Sequence, residues 1–446
     1  MSIKNFYNKK VYKKINRFRR KAILSFIKKN NPVVLDVGCG RGLLGEIIKK
    51  EKKATVFGID ISEDATKEAS KKLDNVFCFN LETNQEWPDE LKMQEYDYVV
   101  ISEVLEHLME PEEILFKIKQ AISHNTEIII TVPNILWWKN RLKIFLGHFE
   151  YTDSGLMDKG HIHFFSWKSF KDLIRKTGYH ITQENHHIPT RGTKYFGRIW
   201  PGLFAKQFIV KIKKNNIVIY TAILGGKDAL TEPKFIPDNC DFICFTDDEV
   251  LKSKTWKVVN IGVGSGDPAR DSREMKLLPH KYLSDYEYSI WVDGNMLVHG
   301  DVNELIDKYL KSNNIAMFDH NQLTGDKRNC IYKEAEVLVK MAKTEKYKDD
   351  PSLILKQVSR YKEEGYPEDN GLISGMVILR KHNYYDVKKV MEDWWSELKN
   401  NSKRDQLSFN YVAWKNNLDF VYIQGDSRDN KYFKRLPHLR KKNYKI

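Results

Sequence analysis

The sequence predicts an α/β protein of two domains, and three observations lead to this prediction. The chain has 446 residues, more than one hydrophobic core usually serves. Strand-like and helix-like segments alternate over residues 31–133, and a second alternation starts at Ile217. Each alternation opens with an apolar strand that leads into a glycine turn, so the second is a new nucleotide-binding domain. We place the boundary in the polar stretch that ends the first, giving domains of residues 1–214 and 215–446.

The composition favours a soluble, cytoplasmic protein. Hydrophobic residues make up 41% of the chain, enough for packed cores, and no apolar run approaches the ~20 residues that span a bilayer. No signal peptide is visible, and the five cysteines form no paired metal pattern, as expected of reduced thiols. The net charge of +14 fits an acidic partner, such as nucleic acid, anionic lipid or a phosphate-bearing substrate, and fits a lysine-rich surface equally well.

The first domain is predicted to begin with a basic helix over residues 1–30, whose apolar residues share one face. Five short runs rich in Val, Ile and aromatic residues are predicted strands: 33–37, 55–59, 76–79, 96–101 and 127–132. An aromatic insertion over residues 134–165 interrupts the alternation and is predicted to be a substrate lid. A helix over 166–177 follows, and strands 179–182 and 207–212 then close the sheet as a hairpin.

The most specific pattern of this domain is the turn after its first strand. Residues 34–42 read Val-Leu-Asp-Val-Gly-Cys-Gly-Arg-Gly, so Asp36 ends a buried strand and a helix starts at Leu43. Glycines in such a turn let the backbone approach a ligand closely. Asp60 ends the next strand, near the ~20-residue spacing of an acid that holds ribose hydroxyls. Dinucleotide-binding turns space their glycines as Gly-x-Gly-x-x-Gly, whereas these recur at every second residue.

This arrangement resembles the class I methyltransferases that use S-adenosylmethionine, over roughly residues 30–214. The resemblance implies a Rossmann-like sheet in which Asp36 and the glycine turn line the methionine part of the cofactor and Asp60 binds the ribose. Asn80 stands at the adenine, where the family often has Asp. The implied cofactor-binding residues are Asp36, Gly38, Gly40, Gly42, Asp60, Ile61, Asn80, Leu81 and Glu103.

Histidines are the predicted catalytic residues of the first domain. Glu103 and His107 follow the fourth strand, and their four-residue spacing predicts a shared helical face at the cleft. Residues 158–166, Asp-Lys-Gly-His-Ile-His-Phe-Phe-Ser, resemble a segment of methyltransferases from surface-glycan and quinone pathways. A sugar hydroxyl needs a base within hydrogen-bond reach, and imidazole titrates near neutrality. We therefore predict His161 as the base, with His163 and His107 behind it.

Two further interpretations of this domain stay open. A metal ion held by His161, His163 and a carboxylate is an alternative to a histidine base. Methylation of nucleic-acid bases rests on the +14 charge alone, because the Asp/Asn-Pro-Pro-Tyr motif of such enzymes is replaced by Ser102-Glu103-Val104-Leu105. We therefore predict no nucleic-acid partner.

The second domain has an apolar strand that ends in an acid. Its predicted strands are 217–221, 242–246, 256–259 and 288–292. The last continues as Asp293-Gly-Asn295, whereas GT-A glycosyltransferases end a central strand with Asp-x-Asp. Their carboxylates hold Mn²⁺ or Mg²⁺ against the leaving nucleotide diphosphate. Asn295 ligates without adding charge. Arg270, Arg273 and Lys276 lie three residues apart on a predicted helix and are candidates for the phosphates.

Four segments together resemble a glycosyltransferase-like family of bacteria and plants that is linked to cell-wall polysaccharides. They are residues 220–222, 291–293, 331–335 and 405–409. The resemblance implies metal ligands at Asp293, Asn295 and His438. It implies a nucleotide-sugar site formed by Thr221, Asp247, Arg270, Arg273 and Lys276. Asp405 would face the donor or acceptor sugar, although the helix dipole alone favours an acid at a helix start, and His438 equally fits an exposed basic tail.

The whole sequence favours one enzyme with two activities in the synthesis of a surface polysaccharide of the O-antigen or capsule type. One activity methylates a sugar hydroxyl with S-adenosylmethionine, and the other transfers a sugar from a nucleotide-sugar donor with Mn²⁺ or Mg²⁺. The expected acceptor is a glycan or lipid-linked glycan, and the positive charge predicts peripheral contact with the anionic inner membrane face. The alternative, which Asn295 favours, is a methyltransferase with a non-catalytic glycan-binding domain.

Overall fold

The computed structural model describes most of the chain, namely residues 15–83, 87–92, 94–189, 191–262, 264–342, 344 and 349–438. The chain divides into two compact units, with the boundary between Lys214 and Asn215. Most of the predicted basic N-terminal helix, residues 1–14, lies outside the described residues. Every helix in the described part of the chain is too short or too polar to cross a lipid bilayer.

Unit 1 is built on a seven-stranded sheet in the order β3-β2-β1-β4-β5-β7-β6. The strands are β1 Val33–Val37, β2 Thr55–Asp60, β3 Asn75–Cys78, β4 Tyr98–Ser102, β5 Glu127–Pro133, β6 Tyr179–Glu184 and β7 Gln207–Lys214. The first five are parallel, whereas β7 runs antiparallel to both β5 and β6. The predicted parallel sheet and its closing antiparallel pair are confirmed.

Helices cover both faces of this sheet. They are α1 Arg17–Phe26, α2 Leu43–Lys52, α3 Glu63–Ala69, α4 Asp89–Lys92, α5 Pro111–Ala121, α6 Trp138–Phe145, α7 Trp167–Lys176, α8 Lys194–Ile199 and α9 Pro201–Phe204. Successive residues of a strand point to opposite faces. Accordingly, Leu35 and Val37 of β1 pack into one apolar core and Val34 into another. The all-apolar strand is thus explained by burial on two sides, as in other parallel sheets.

Unit 2 is a second α/β domain with a mixed sheet in the order β10-β9-β8-β11-β14-β13-β15. Its strands are β8 Ile217–Ile223, β9 Cys240–Thr246, β10 Lys257–Asn260, β11 Tyr288–Val292, β13 Ile315–Asp319, β14 Ile373–Arg380 and β15 Val421–Ile423. A small separate sheet pairs β12 Met296–Val298 with β16 Phe433–Arg435. Strands β8 to β11 run parallel, and β14 is antiparallel to both of its neighbours.

The helices of unit 2 also lie on both sides of the sheet. They are α10 Pro268–Leu277, α11 Pro279–Tyr282, α12 Asn303–Leu305, α13 Ile331–Ala342, α14 Pro351–Glu363, α15 Tyr385–Asn400 and α16 Phe409–Lys415. In β8, Val218 and Tyr220 belong to one apolar core and Ile217 and Ile219 to another. The prediction of two α/β domains is confirmed. Helix α10 carries the three predicted basic residues, and β11 ends directly before Asp293.

Candidate functional sites

One cavity of about 310 Å³ lies where the parallel strands of unit 1 end. Open α/β sheets bind their ligands at this edge, outside the carboxyl ends of the strands. The cavity lining includes two of the predicted histidines, His107 and His161. It also includes every predicted cofactor residue except Gly42, namely Asp36, Gly38, Gly40, Asp60, Ile61, Asn80, Leu81 and Glu103. The structure therefore brings together residues that are as much as 125 positions apart in the chain.

A hydrogen bond joins the glycine turn after β1 to the end of β2. The Gly40 N–H donates to Asp60 Oδ2 at 2.7 Å, and the Ser62 N–H donates to Asp60 Oδ1 at 2.9 Å. Gly40 has a φ of +53°, with open space where a Cβ would stand. Burial raises the pKa of Asp60, while the bonds from Ser62 and Gly40 oppose that rise. The carboxylate is thereby fixed in the cavity wall, where it can accept hydrogen bonds from ribose hydroxyls.

Asp36 lies beneath this turn and is only 2% exposed. Its Oδ2 has no hydrogen-bond partner among the described residues. Burial, and then the negative charge of Asp60, raise the pKa of Asp36 to about 7. A cation that enters the cavity favours the ionised form of such a group. Asp36 therefore suits a positively charged ligand.

The three glycines of the turn have different surroundings. Gly38 and Gly40 line the cavity, whereas Gly42, also predicted to bind the cofactor, does not. At Gly38 the φ is +69° and an added Cβ would lie 2.5 Å from Val104 Cγ2, so a side chain is excluded there. Gly42 does not line the cavity. It precedes α2 with a φ of +73°, and its Cβ would lie 3.1 Å from Ala69 Cα. Gly42 therefore allows α2 to start close to α3 and lies outside the cavity lining.

The predicted helical face of Glu103 and His107 is wrong. Glu103 has a φ of +60°, and only a 3-10 turn, Leu105–His107, follows it. The Glu103 carboxylate instead pairs with Arg19 at 3.2 Å and accepts a hydrogen bond from Gln207 Nε2. Arg19 belongs to α1 and lines the same cavity. Sequence reasoning missed Arg19, because the spacing of a basic helix does not indicate which strand end it will meet.

His107 and His161 lie side by side at the cavity. Their ring centroids are 4.9 Å apart. Nδ1 of His107 bonds to the carbonyl oxygen of Gly160 at 2.8 Å, and Nδ1 of His161 to that of Leu156 at 3.3 Å. Because a carbonyl oxygen only accepts, these bonds put the proton of each neutral ring on Nδ1 and make Nε2 the basic nitrogen.

Glu106 is fully buried next to the two histidines. Its carboxyl oxygens have no hydrogen-bond partner within the part of the chain that the structure describes. Burial, and then the charge of Glu103, raise the pKa of Glu106 well above its usual range. Ligand atoms of Glu106, His107 and His161 all lie within 4.8 Å of one another. The group can thus hold a proton, and two imidazoles with a carboxylate also fit a divalent transition metal.

His163 lies apart from Glu106, His107 and His161, and the prediction that it supports His161 from behind is wrong. Its Nε2 donates to the carbonyl oxygen of Met109 at 3.0 Å, and its ring stacks against Phe165. It is not among the residues that line the cavity. The four-residue spacing pointed to Glu103, but the acid beside the two histidines is Glu106, which was not predicted as a site residue.

In unit 2, the end of β11 is joined to the C-terminal segment. Asp293 Oδ1 accepts a hydrogen bond from Trp291 Nε1 at 2.9 Å. The Asn295 side-chain amide donates to the Leu436 carbonyl oxygen at 2.8 Å, and the Leu436 N–H donates back to the Asn295 carbonyl oxygen at 2.8 Å. His438 follows and bonds through Nδ1 to Asp228 Oδ1 at 2.7 Å. His438 therefore lies near the strand end, paired with an acid.

Asp228 was not predicted as a site residue. It is 8% exposed, and a Cβ built on Gly294 would lie 3.5 Å from its Oδ2. It therefore borders the Asp-Gly-Asn turn. Its position two residues after the Gly225-Gly226 turn gave no signal, because a single acid in a loop has no distinctive spacing.

Thr221 and Asp247 lie near the first turn of unit 2. The Gly225 N–H donates to Asp247 Oδ2 at 2.9 Å. Asp247 Oδ1 and Thr221 Oγ1 are buried and have no hydrogen-bond partner among the described residues. Buried polar atoms of this kind cost free energy unless a ligand or water satisfies them. Both therefore remain candidates for contact with a nucleoside.

Lys276 forms a buried ion pair with Asp405, and its Nζ lies 3.5 Å from Asp293 Oδ1. Burial raises the pKa of Asp405, but the charges of Lys276, Arg273 and Arg404 outweigh it and hold the pKa well below its usual range. Asp405 begins the 3-10 helix Asp405–Leu407, which leads into α16 at Phe409. A carboxylate that stays ionised and is buried against Lys276 is a poor base, and its contact in the structure is with that lysine.

Arg270 is also separated from the predicted phosphate site. Its guanidinium donates to the carbonyl oxygens of Leu398, Lys399 and Asn401 at the C-terminal end of α15. Those carbonyls have no partners within the helix, and cations favour this end of the helix dipole. Arg270 therefore stabilises α15. Arg273, one turn further along α10, keeps a buried Nε without a partner among the described residues.

The predicted Mn²⁺ or Mg²⁺ ligands make other contacts in the structure. His438 is bonded to Asp228, Asn295 is an amide, and the remaining carboxylate, Asp293, faces the ammonium of Lys276. Within the described residues, Glu106, His107 and His161 of unit 1 are the only three His, Cys, Asp or Glu residues close enough together to hold a metal. The donors in unit 2 therefore do not fit a divalent cation, which prefers several carboxylate or carbonyl oxygens.

Comparison with known proteins assigns a class to each unit. A family model described as a methyltransferase domain matches residues 7–184, and one described as the TOD1/MUCI70 glycosyltransferase-like domain matches residues 203–425. The probable hexosyltransferase MUCI70 of Arabidopsis thaliana is 27% identical over 227 residues, which are 44% of this chain and 37% of the plant protein.

Two further similarities fall on the methyltransferase half. The ubiquinone biosynthesis O-methyltransferase of Hydrogenovibrio crunogenus is 32% identical over 138 residues, 30% of this chain and 55% of that enzyme. A solved SAM-dependent methyltransferase from Archaeoglobus fulgidus covers 44% of this chain and 96% of its own, with 21% identity and a TM-score of 0.31. The chain thus spans only about a third to a half of the length of these two curated relatives.

The chain is a two-domain transferase-type protein, with the class I fold of S-adenosylmethionine-dependent methyltransferases in unit 1. The second family model covers half of the sequence, so the chain belongs to the TOD1/MUCI70 glycosyltransferase-like family.

Proposed function

We propose that this protein is a bifunctional enzyme of surface-polysaccharide synthesis, which methylates a sugar hydroxyl and transfers a sugar from a nucleotide-sugar donor. The main support is the cavity of unit 1, whose lining includes both the acids Asp36 and Asp60 and the neighbouring imidazoles of His107 and His161. Acids for a cationic cofactor and bases for a hydroxyl therefore share one space. The family of unit 2 supports the sugar-transfer half of the proposal.

The methyl-transfer step follows from the placement of these groups. S-adenosylmethionine supplies an electrophilic methyl group when bound over the glycine turn, with its ribose at Asp60. His161 accepts the proton of the acceptor hydroxyl at Nε2, because its Nδ1 contacts the Leu156 carbonyl oxygen. His107 lies beside His161 and holds the His161 ring in place. The name of the Hydrogenovibrio relative, an O-methyltransferase, supports oxygen as the methylated atom.

Unit 2 is proposed to bind a nucleotide sugar at the ends of β8, β9 and β11. Thr221 and Asp247 have unsatisfied buried oxygens there, and Arg273 and Lys276 lie on the neighbouring helix α10. The probable hexosyltransferase activity in the name of the plant relative supports a hexose as the transferred sugar.

We further propose that the acceptor is a lipid-linked glycan, reached from an anionic membrane surface. The predicted lid, residues 134–165, supports this with exposed apolar side chains, among them Phe145 at 85% and Leu146 at 63%. Lys139, Arg141 and Lys143 lie on the same helix, and residues 134–149 include no acid. Apolar side chains beside basic ones suit the headgroup region of an anionic bilayer.

The methyl-transfer half is tested with radiolabelled S-adenosylmethionine, a panel of glycans and lipid-linked glycans, and mass spectrometry of the product. We expect His161→Gln to lower the rate by about 10²- to 10⁴-fold, the usual contribution of a general base. His163→Gln is the matched control and should leave the rate near that of the unaltered protein. Equal losses in both variants would contradict the assignment of His161.

The same assay separates a histidine base from a metal ion held by Glu106, His107 and His161. A base alone predicts a rate that a chelator does not change and that falls as His161 is protonated at lower pH. Loss of activity in chelator, with recovery on adding a divalent ion, would replace the base by metal assistance.

Sugar transfer is tested with a panel of nucleotide sugars by measuring release of nucleoside diphosphate, with and without acceptor. A glycosyltransferase releases the diphosphate of one donor and adds its sugar to the acceptor. A non-catalytic glycan-binding domain, the alternative that Asn295 favours, binds the glycan and releases none.

Membrane contact is tested by sedimentation with vesicles of phosphatidylcholine, with or without phosphatidylglycerol. We expect binding only to the anionic vesicles, and several-fold weaker binding for the F145E and L146E variants, whose altered side chains are exposed and leave the fold intact. Binding unchanged by these substitutions would contradict the proposed surface.

A further inference from the structure

Lysines and arginines outnumber aspartates by four to three around the end of β11 in unit 2. Lys276 lies between Asp293 and Asp405, with Nζ 3.5 Å from Asp293 Oδ1 and in a direct ion pair with Asp405. The lysine is 3% exposed and Asp405 5%. One buried cation therefore lies between the strand-end acid Asp293 and a second acid, Asp405.

Further cations surround this pair. The charges of Arg273 and Arg404 lower the pKa of Asp405. The pKa of Lys227 is affected by the same two arginines and by Asp293 and Asp228. These groups therefore lie close together. Asp405 is already paired with Lys276 and Asp228 with His438. Lys227, Arg273 and Arg404 belong to the same group of charges and form no ion pair among the described residues.

Both arginines have donors that no protein group uses. Arg273 Nε and Arg404 Nε are buried and lack hydrogen-bond partners among the described residues. Arg273 gives one bond of 3.3 Å to the Ala269 carbonyl oxygen, and Arg404 one of 3.2 Å to Gln406 Oε1. Buried guanidinium N–H groups without acceptors are costly, and phosphate oxygens are the acceptors whose geometry matches them best.

We propose that unit 2 binds the diphosphate of its nucleotide-sugar donor with Lys227, Arg273 and Arg404 and without a divalent metal ion. The proposal rests on the glycosyltransferase function proposed above and deepens it. The donors present argue against a metal: the trio expected to hold it contains one carboxylate, which faces Lys276, while the surrounding cations repel a further one. During transfer, the bond between the sugar and the diphosphate breaks, and the departing negative charge stays on oxygens that these three cations neutralise.

The experiment is titration calorimetry of the full-length protein with UDP, GDP, CDP and ADP, and with the matching monophosphate. Each titration is run in excess EDTA and again with Mn²⁺. We expect one diphosphate to bind with a Kd that changes less than about twofold between the two conditions. In EDTA the second phosphate should strengthen binding by about tenfold or more, since a hydrogen bond to a charged group contributes about 1.5–3 kcal/mol.

Variants locate the diphosphate on the cations. R273Q and R404Q should each weaken diphosphate binding by about 10- to 100-fold and monophosphate binding much less. K356Q is the matched control, because it also removes one positive charge from unit 2 and Lys356 is an exposed residue of α14. A similar loss in K356Q would overturn the specific role of the arginines, and the EDTA comparison tests metal independence without any variant.

The two proposals fail differently. Diphosphate binding that appears only with Mn²⁺ overturns the metal-free site and leaves the glycosyltransferase function standing. Absence of binding by all four diphosphates in both conditions overturns the glycosyltransferase function itself.

Discussion

The first turn of each unit is held in the same way by the neighbouring strand. In unit 1 the Gly40 N–H donates to Asp60, and in unit 2 the Gly225 N–H donates to Asp247. In each unit the acid follows or ends the second strand, which pairs in parallel with the first. The turn is thus a device of the parallel α/β sheet and does not by itself select a cofactor.

The charges around the two turns differ. The residues that line the unit 1 cavity include six acids and two arginines, namely Asp36, Asp60, Asp64, Glu82, Glu103, Asp158, Arg19 and Arg41. Around Asp293, by contrast, the surplus charge is positive and comes from the lysines and arginines described above. A sulfonium is a cation and a diphosphate an anion. For the two proposed ligands, the charge that borders the shared turn is opposite to the charge of the ligand.

The largest expected effect is on stability, at the buried ion pair of unit 2. Lys276→Met leaves Asp405 buried without its partner and should lower the free energy of unfolding by about 3–5 kcal/mol, as breaking a buried pair does. Guanidinium denaturation followed by tryptophan fluorescence measures this. The double variant K276M/D405L removes both charges and should recover most of the loss. If K276M were as stable as the unaltered protein, the buried Lys276–Asp405 pair could not be the main charge interaction at this site.

The next largest effect is on ligand affinity, and it should differ between the two units. Asp60→Ala should weaken S-adenosylmethionine binding by about 10- to 100-fold, because a charged acceptor of ribose hydrogen bonds is lost, and leave nucleoside diphosphate binding unchanged. Asp247→Ala should do the reverse. Titration calorimetry of each variant with both ligands checks the four values. Parallel losses of both ligands in either variant would mean that the two turns do not serve separate ligands.

Local spacing made the parallel part of each unit predictable. A βαβ connection brings consecutive strands side by side, so the acid at the end of β2 had to meet the turn after β1. The placement of Asp36, Gly40 and Asp60 at one edge of the sheet could therefore be predicted from the sequence, and so could the end of β11 before Asp293.

Contacts between distant segments were not predictable, because no spacing encodes them. Arg19 meets Glu103, Lys276 meets Asp405 and Asp228 meets His438 across 84, 129 and 210 positions. The basic triplet of α10 shows a related limit. At about 100° per residue, steps of three drift by about 60° around a helix, so Arg270 turns to α15 while Lys276 turns to the sheet.

The smallest effect concerns pH and the acid beneath the first turn. Asp36 has a pKa of about 7, and a bound cation lowers that pKa, so binding releases a proton when Asp36 starts protonated. Affinity for S-adenosylmethionine should therefore rise with pH below 7, by at most about tenfold per pH unit, and level off above it. Calorimetry at pH 5.5 to 8.5, in two buffers of different ionisation enthalpy, counts the protons released.

The control variant is Asp36→Asn, which keeps the shape of the side chain and cannot titrate. It should bind S-adenosylmethionine more weakly at pH 8 and lose the proton release. The stability of the cofactor-free protein gives a second check, because the folded pKa of about 7 lies above the ordinary value of 3.8. The folded state then binds the extra proton, so stability should fall as pH rises between these values, and Asp36→Asn should abolish that fall. A flat pH profile in the unaltered protein would show that the acid-lined turn does not respond to the charge of its ligand, and the contrast between the two units would lose its electrostatic basis.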